Sequence, residues 1–407
     1  MGKKSREEVL RFIENLTLNT RKSYNTAITQ YEQYHNSTIE ELVCEALEEQ
    51  TQQVPPHLLK IIDRIEGFQA HLVGKELCRS SIQSMVGKIK RIYTKNRVVL
   101  PYLEPLRQTE GRKREYIEYK DILTKAEIKK ALIEMKPMVK ARAMVIAQSG
   151  ASNEECEHFI TRAFIDELYK YHQCDNDVDA LKWLANEHHP VIWVTKLIRQ
   201  KTHKPYYVLV SPESVNAIAS AKLHELTLPK FGGKLSPKLL SITKRGFADT
   251  LKRINNKLRF GKVAEEVKLR PHMLRKFHAT NINGSALTYE EHSMISYQEI
   301  DEMQGRGKTS VQDTYIKSNP LKQKLLYAKV MNNVMFYHQY DYEIMGNDVI
   351  VTLTDPNIEK SELENEVRKL KKQLDAKNKA SEKVNALREE LGDDVFKEMI
   401  NEILTTS

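Results

Sequence analysis

The stretch Arg270-Pro271-His272-Met273-Leu274-Arg275-Lys276-Phe277-His278-Ala279-Thr280 places a histidine and an arginine three residues apart. On a helix that spacing puts His272 and Arg275 on one face, so both can reach a single anionic group. Arginine's planar fork matches two oxygens of a phosphate, and an imidazole can donate or transfer a proton near neutral pH. Alone, such a pair also fits an ordinary capped helix, so the rest of the chain must supply the remaining groups.

The elements around this pair read as mainly helical, because apolar residues recur at three-to-four spacing through most of the 407 residues. A chain of this length predicts two or three domains. Residues 1–13 read as an N-terminal arm and residues 14–106 as a helical domain. Within it Thr20 is an expected N-cap, and Tyr24, Ile28 and Tyr31 share one helical face. Further helices fit Pro56–Leu72 and Ser80–Lys95. The second has Ile82, Met85, Ile89 and Ile92 on one side and Lys88, Lys90, Arg91 and Lys95 between them. Residues 107–120 form a charged, aperiodic linker containing Arg112, Lys113 and Arg114, suited to tracking a phosphate backbone. A second domain, 121–339, opens on a capping box, Thr124 with Glu127. Its one β signal is Val191–Val194 and Tyr206–Val210 flanking a polar turn, Gln200-Lys201-Thr202-His203-Lys204. A tail, 340–407, holds the strand-like Asp348–Leu353 and a short coiled-coil seam, Leu363, Val367, Leu370 and Leu374, which Val384, Leu387 and Leu391 continue imperfectly.

Composition narrows the partners. Lysine and arginine number 64 against 55 acidic residues, a formal charge of +9. From Asp355 onward 13 acidic residues face 10 basic ones, so the preceding body carries +12 and suits a polyanion. The four cysteines lie far apart without a C-x-x-C pair, which argues against zinc ribbons and disulfide scaffolds and for a reducing cytoplasm. Neither His188-His189 nor Cys156 with His158 gathers four ligands at finger-like spacing, so no metal site is predicted. The polar start and the lack of any run of about 18 apolar residues predict no signal peptide and no membrane span.

Downstream of the first pair stands Gln304-Gly305-Arg306, and Tyr315 follows nine residues after Arg306. Here the chain resembles the catalytic domain of the tyrosine recombinases, the phage-type integrases. That family carries H-x-x-R-(H/K)-x-x-A-T, then a G-(H/W) step, then a nucleophilic tyrosine. The turn with Lys201 resembles the hairpin bearing the family's catalytic lysine, and Gln148–Glu155 resembles its T-G-x-R-x-x-E signature. The resemblance covers about Leu16 to Tyr327 in the expected order and is nearest to divergent archaeal-type members. It implies an α+β catalytic domain behind a helical core-binding domain, the two clasping duplex DNA.

It also implies a reaction. Tyr315 would attack phosphorus and form a 3′-phosphotyrosine, with Arg275 holding the phosphate, His272 assisting as donor or proton relay, and Lys201 protonating the leaving 5′-oxygen. Neither metal nor nucleotide cofactor is needed, because the ester stores the bond energy. The implied protein is a site-specific recombinase of a mobile element, acting as a homotetramer on double-stranded attachment sites and located with DNA in the cytoplasm. The same resemblance favours phosphate contact by Lys88, Lys90, Arg91 and Lys95, while the C-terminal seam would support protomer contacts or pack in cis.

Two departures stand out. Arg306 occupies the place of histidine or tryptophan and can still donate to the phosphate. The signature's arginine falls at Ser152, or at Asn153 with a one-residue shift, and neither is cationic. Arg306 is one expected source of the missing charge, with Arg142 and Arg162 as more distant candidates. The alternative reading is a catalytically inactive DNA-binding protein on the same scaffold. Tyr327, among apolar neighbours, reads as core, and His278 as a packing residue.

Overall fold

The computed structural model describes residues 4–107, 111–112, 116–199, 203–282, 295–306 and 319–354. Lys113, Arg114, Lys201, Tyr315 and the whole coiled-coil seam lie outside them. The chain divides into two units, Met1–Ile117 and Glu118–Ser407.

The first unit is helical throughout its described elements: α1 (Arg6–Glu14), α2 (Leu18–His35), α3 (Ile39–Thr51), α4 (Lys60–Gly74) and α5 (Arg79–Lys95). Each amphipathic stripe ends in one core that joins Tyr24, Ile28 and Tyr31 of α2 to Ile65, Phe68 and Leu72 of α4 and to Ile82, Ile89 and Ile92 of α5. Tyr31 and Tyr93 are fully buried and share a hydrogen bond of 3.1 Å, so each hydroxyl has a partner in the core.

Three expectations need correction. Within the expected arm, the described residues 4–13 are part of the domain: a Ser5–Glu8 capping box starts α1, whose Val9 and Ile13, one turn apart, lie in the core. The N-cap of α2 is Thr17 rather than Thr20, because the Thr17 hydroxyl accepts the Thr20 N–H and helical geometry begins at Leu18. Arg112, expected in an aperiodic linker, has its backbone tied to the start of α5. Its N–H donates to the Leu77 carbonyl and its carbonyl accepts from Arg79 N–H, a one-residue bridge at the start of α5.

The second unit is mostly helical with small antiparallel sheets. Its helices are α6 (Lys125–Ile133), α7 (Pro137–Ser149), α8 (Thr161–Glu167), α9 (Tyr169–His172), α10 (Asp177–Leu184), α11 (Pro212–Thr227), α12 (Lys244–Leu258), α13 (Pro271–Ile282), α14 (Tyr297–Met303) and α15 (Pro320–Val330). The capping box of Thr124 and Glu127 opens α6. Among the described residues three hairpins accompany the helices: β1 (Trp193–Ile198) with β2 (Pro205–Val210), β3 (Lys262–Val263) with β4 (Glu266–Val267), and β5 (Tyr340–Met345) with β6 (Asp348–Leu353).

Helix α7 runs through the centre, with every residue from Ala141 to Ser149 buried, and it packs against α11 and α13. Burial on all sides explains why its apolar residues show no helical stripe in the sequence. Its buried Gln148 is held by the Ser211 and Ser214 hydroxyls, at 2.7 and 2.6 Å, and by the Glu213 carboxylate. Glu213 in turn accepts the backbone N–H groups of Phe336, Tyr337 and His338, which fixes the chain just after α15.

The strand pair β5–β6 is likewise part of this unit rather than a tail. Val349 and Val351 are buried, and Asp348 accepts from Lys170, Lys324 and the Tyr171 hydroxyl. Burial alone would raise the Asp348 pKa. Those three donors outweigh it and hold the carboxyl well below the usual range.

Candidate functional site

The site is assembled where α13, the turn after α7, the end of β1 and the C-terminal turn of α14 meet. Helix α7 stops at Gly150, whose φ of +69° closes the last turn in the left-handed region. A Cβ there would lie 2.6 Å from Nδ1 of His278, so only glycine fits both the dihedral and the space. The chain then turns through Ser152 and Asn153. The Ser152 N–H donates to Glu155 Oε2 at 2.7 Å, and the Ser152 hydroxyl accepts the Glu155 N–H at 3.2 Å. Asn153 donates to the Lys244 carbonyl at 3.2 Å. Both residues at the place of the signature arginine therefore hold the loop.

That loop aims the Glu155 carboxylate, almost wholly buried, at two arginines. Oε2 lies 3.5 Å from Nη1 of Arg275, and Oε1 lies 3.8 Å from Nε of Arg199. The same guanidiniums grip consecutive carbonyls beyond α14. Arg275 donates to Gln304 O at 2.5 Å, and Arg199 donates to Gly305 O. Carbonyls at a helix C-terminus carry partial negative charge, so cations settle there. Gly305, with φ +62°, packs so closely on the Tyr206 ring that a Cβ would come within 2.9 Å of it.

Arg275 has a pKa lowered by burial, with Glu155 opposing the shift and the nearby Arg199 and Arg306 charges adding to it. The charges of Arg199 and Arg306 thus both act on Arg275. Arg306 is the outermost, its side chain 46% exposed and paired with Asp301 at 3.2 Å. His272 lies at the exposed start of α13, and its imidazole makes no hydrogen bond among the described residues. Partial enclosure, then Lys276, Arg270 and Arg275, lower its pKa, so the imidazole is neutral at pH 7 and can take or give a proton.

Of the other candidates, Arg142 is fully buried and spends its guanidinium on the carbonyls of Ile242 and Asn153, beneath the loop. Arg162 is paired with Asp166 on its own helix α8 and with Asp177 at the start of α10. Neither is brought to Arg275 by these bonds. Tyr327 is fully buried, donates to the Gln148 carbonyl at 2.8 Å, and has its pKa raised by burial. Cys156 is buried and its thiol is pushed up to about 12, which leaves it unreactive. Among the described residues no cluster of three His, Cys, Asp or Glu side chains could hold a metal ion.

Arg199 is the residue that sequence reading passed over. It sits two positions before Lys201, at the base of the β1–β2 turn, where its N–H donates to Lys204 O at 2.9 Å. Its type and its place beside the hairpin lysine were visible in the sequence; the approach of that hairpin to Glu155 and Gly305 was not.

His278 is the wedge behind the site. It is fully buried, and its pKa is pushed down to about 3 by burial first and then by Arg275 and Arg306. An unfolded histidine titrates near 6.5, so the unfolded chain takes up a proton that the folded chain refuses. The stabilisation is complete above about pH 6.5 and falls as pH drops toward 3, by up to ~1.4 kcal/mol per pH unit. Urea midpoints at pH 7.5 and pH 5 should show the loss, and His278→Gln should flatten it. An equal pH dependence in the variant would remove His278 as its cause.

On the first unit, α5 turns a charged face outward. Arg91 and Lys95 are exposed on it, and Lys88 lies half-buried at one margin, 2.5 Å from the Ser84 hydroxyl. Lys90 is half-buried on the opposite margin. Among the described residues none of the four makes an ion pair.

No family model matches the chain, and no curated protein matches it. Among solved structures it is similar to XerA recombinase, with 17% identity, a TM-score of 0.29, and coverage of 80% of this chain and 98% of that one. Among the described residues no helix is long and apolar enough to cross a membrane.

Proposed function

We propose that this chain is a DNA strand transferase of the tyrosine-recombinase type, cutting and rejoining duplex DNA through a 3′-phosphotyrosine at Tyr315. The observation that carries the reading is the convergence at Arg275: a buried guanidinium on the same helix as His272, sharing the Glu155 carboxylate with Arg199, whose fork also holds the Gly305 carbonyl next to Arg306. A cluster of fixed cations around one buried carboxylate has an excess of positive charge suited to a phosphodiester. Integration or excision of a mobile element, by a homotetramer on attachment sites, is the role this chemistry serves.

In the proposed step the Tyr315 oxygen forms a bond to phosphorus as the P–O5′ bond breaks. The electron pair stays on the 5′-oxygen, which takes a proton from Lys201. The phenolic proton passes to a base, a task for which the neutral His272 imidazole is suited. Arg275 and its neighbours stabilise the charge that grows on the non-bridging oxygens. Reversal with a new 5′-hydroxyl rejoins the strand, so no cofactor enters.

The test starts from DNA that the protein itself selects out of a fragment library. Duplexes of that sequence, nicked at successive positions so that the cleaved end diffuses away, are incubated with the protein and denatured. A covalent protein–DNA adduct is expected. Selective binding with no adduct at any nick would favour the inactive scaffold on which the loss of the signature arginine has abolished cleavage.

The first unit's share of binding is tested separately. Arg91→Ala and Lys95→Ala should weaken affinity uniformly across sequences. Each should also reduce the slope of log K against log salt by about 1. An unchanged slope in the double variant would remove this face of α5 from the DNA interface.

A further inference from the structure

The signature position holds Ser152 or Asn153, both spent on the loop, so a second guanidinium must come from elsewhere if the phosphate is to be held from two sides. Arg142 is buried under the loop, Arg162 is tied down on α8, and Arg306 is paired with Asp301 at the outer edge. We infer that Arg199, at the end of β1, is the second arginine that contacts the scissile phosphate, and that Glu155 is the positioning residue that orients it together with Arg275. This inference rests on the reading of the site as a phosphoryl-transfer centre.

Three observations converge on Arg199. Its Nε and the Nη1 of Arg275 face the two oxygens of one buried carboxylate, so a single side chain fixes the relative placement of both forks. The two guanidiniums also take adjacent carbonyls, Gly305 and Gln304, which ties β1 and α13 to the same turn of chain. A guanidinium has five N–H donors, and the contacts with Gly305 and Glu155 leave Arg199 others to offer an anion. Its side chain keeps 18% of its surface, whereas Arg142 keeps none.

Position in the chain adds a functional reason. The β1–β2 turn bears both Arg199 and Lys201, so one hairpin would deliver charge to the non-bridging oxygens and a proton to the leaving group. The loop after α7 then needs no arginine of its own, and its role is to hold Glu155.

The test uses the full chain and the nicked duplex that gives an adduct with the wild type. Arg199→Gln is the main variant, because an amide can still donate to the Gly305 carbonyl but carries no charge; Arg199→Ala is the second. Each is assayed on the normal phosphodiester and on a duplex with a methylphosphonate at the mapped cleavage position, where one charged oxygen is replaced by a neutral methyl. Adduct formation on the phosphodiester should fall roughly 10²–10³-fold relative to the wild type. On the methylphosphonate the deficit should shrink to within about tenfold, since less charge needs neutralising.

Equal deficits on both substrates would make Arg199 a structural brace and overturn the inference. So would wild-type rates in Arg199→Gln. If Arg199→Ala fails to fold, the glutamine variant decides. A wild type that selects DNA yet forms no adduct fails the strand-transfer reading itself, and Arg199's catalytic role falls with it.

Discussion

Replacing Tyr315 with phenylalanine should abolish the covalent adduct while leaving DNA affinity within about twofold of the wild type. The substitution removes one hydroxyl and keeps the ring, so binding loses little, but the reaction loses the atom that must become bonded to phosphorus. Gel resolution of denatured complexes reads the first quantity, and equilibrium binding at fixed salt reads the second. Tyr327, only twelve residues on, is an unsuitable substitute. Its hydroxyl is fully buried against the Gln148 carbonyl, and burial raises its pKa further above the physiological range. An adduct that persists in Tyr315→Phe would sink the assignment and send the search to the exposed tyrosines, beginning with Tyr297 at the start of α14.

Arg275→Ala is the second large effect, and it should act on both rate and stability. Losing one fixed donor to a developing oxyanion costs ~10²–10³ in rate. Removing Arg275 also leaves the buried Glu155 carboxylate with Arg199, 3.8 Å away, as its remaining cation beside the Ser152 N–H, and releases the Gln304 carbonyl. Breaking a buried pair costs about 3–5 kcal/mol where no partner remains, and the surviving arginine should keep the loss below that range. Adduct rate and urea denaturation measure the two parts. Arg275→Lys separates them, because an ammonium can compensate Glu155 yet lacks the fork that spans two phosphate oxygens. Cleavage by Arg275→Ala within a few-fold of the wild type would remove this residue from the phosphate.

What the sequence disclosed depended on whether an element buries one face or all of them. Helix α5, with Ile82, Ile89 and Ile92 inward and Arg91 and Lys95 outward, announces itself by period. The β1–β2 hairpin was legible from β-branched and aromatic runs on either side of a polar turn. Helix α1 was legible in principle, since Ser5 and Glu8 form a capping box and Val9 and Ile13 are one turn apart. The charged residues around them leave only these two buried apolar positions to mark the inward face.

Strand β5 could not be read the same way. Its burial runs from Tyr340 into five exposed residues, so nothing alternates, and only pairing with β6 makes it a strand. The site shows a similar split. His272 and Arg275 share a helix and can be paired by spacing, whereas Arg199 and Glu155 meet only because a hairpin and a loop 44 residues apart fold onto one helix end. Local spacing carries no record of such a meeting.

The turn at Gly150 has a consequence for how this sequence can diverge. His278 lies against Gly150, and Gln304 donates to the His278 ring at 3.0 Å, so three positions far apart in the chain share one small volume. A side chain at residue 150 would strike that ring, and a smaller group at 278 would leave the Gln304 side chain with only its 3.4 Å bond to the Arg275 carbonyl. Substitutions at these sites are therefore epistatic. Drift here should proceed by joint replacement, so that in related chains residues 150, 278 and 304 change together or not at all, whatever happens to the charged groups in front of them.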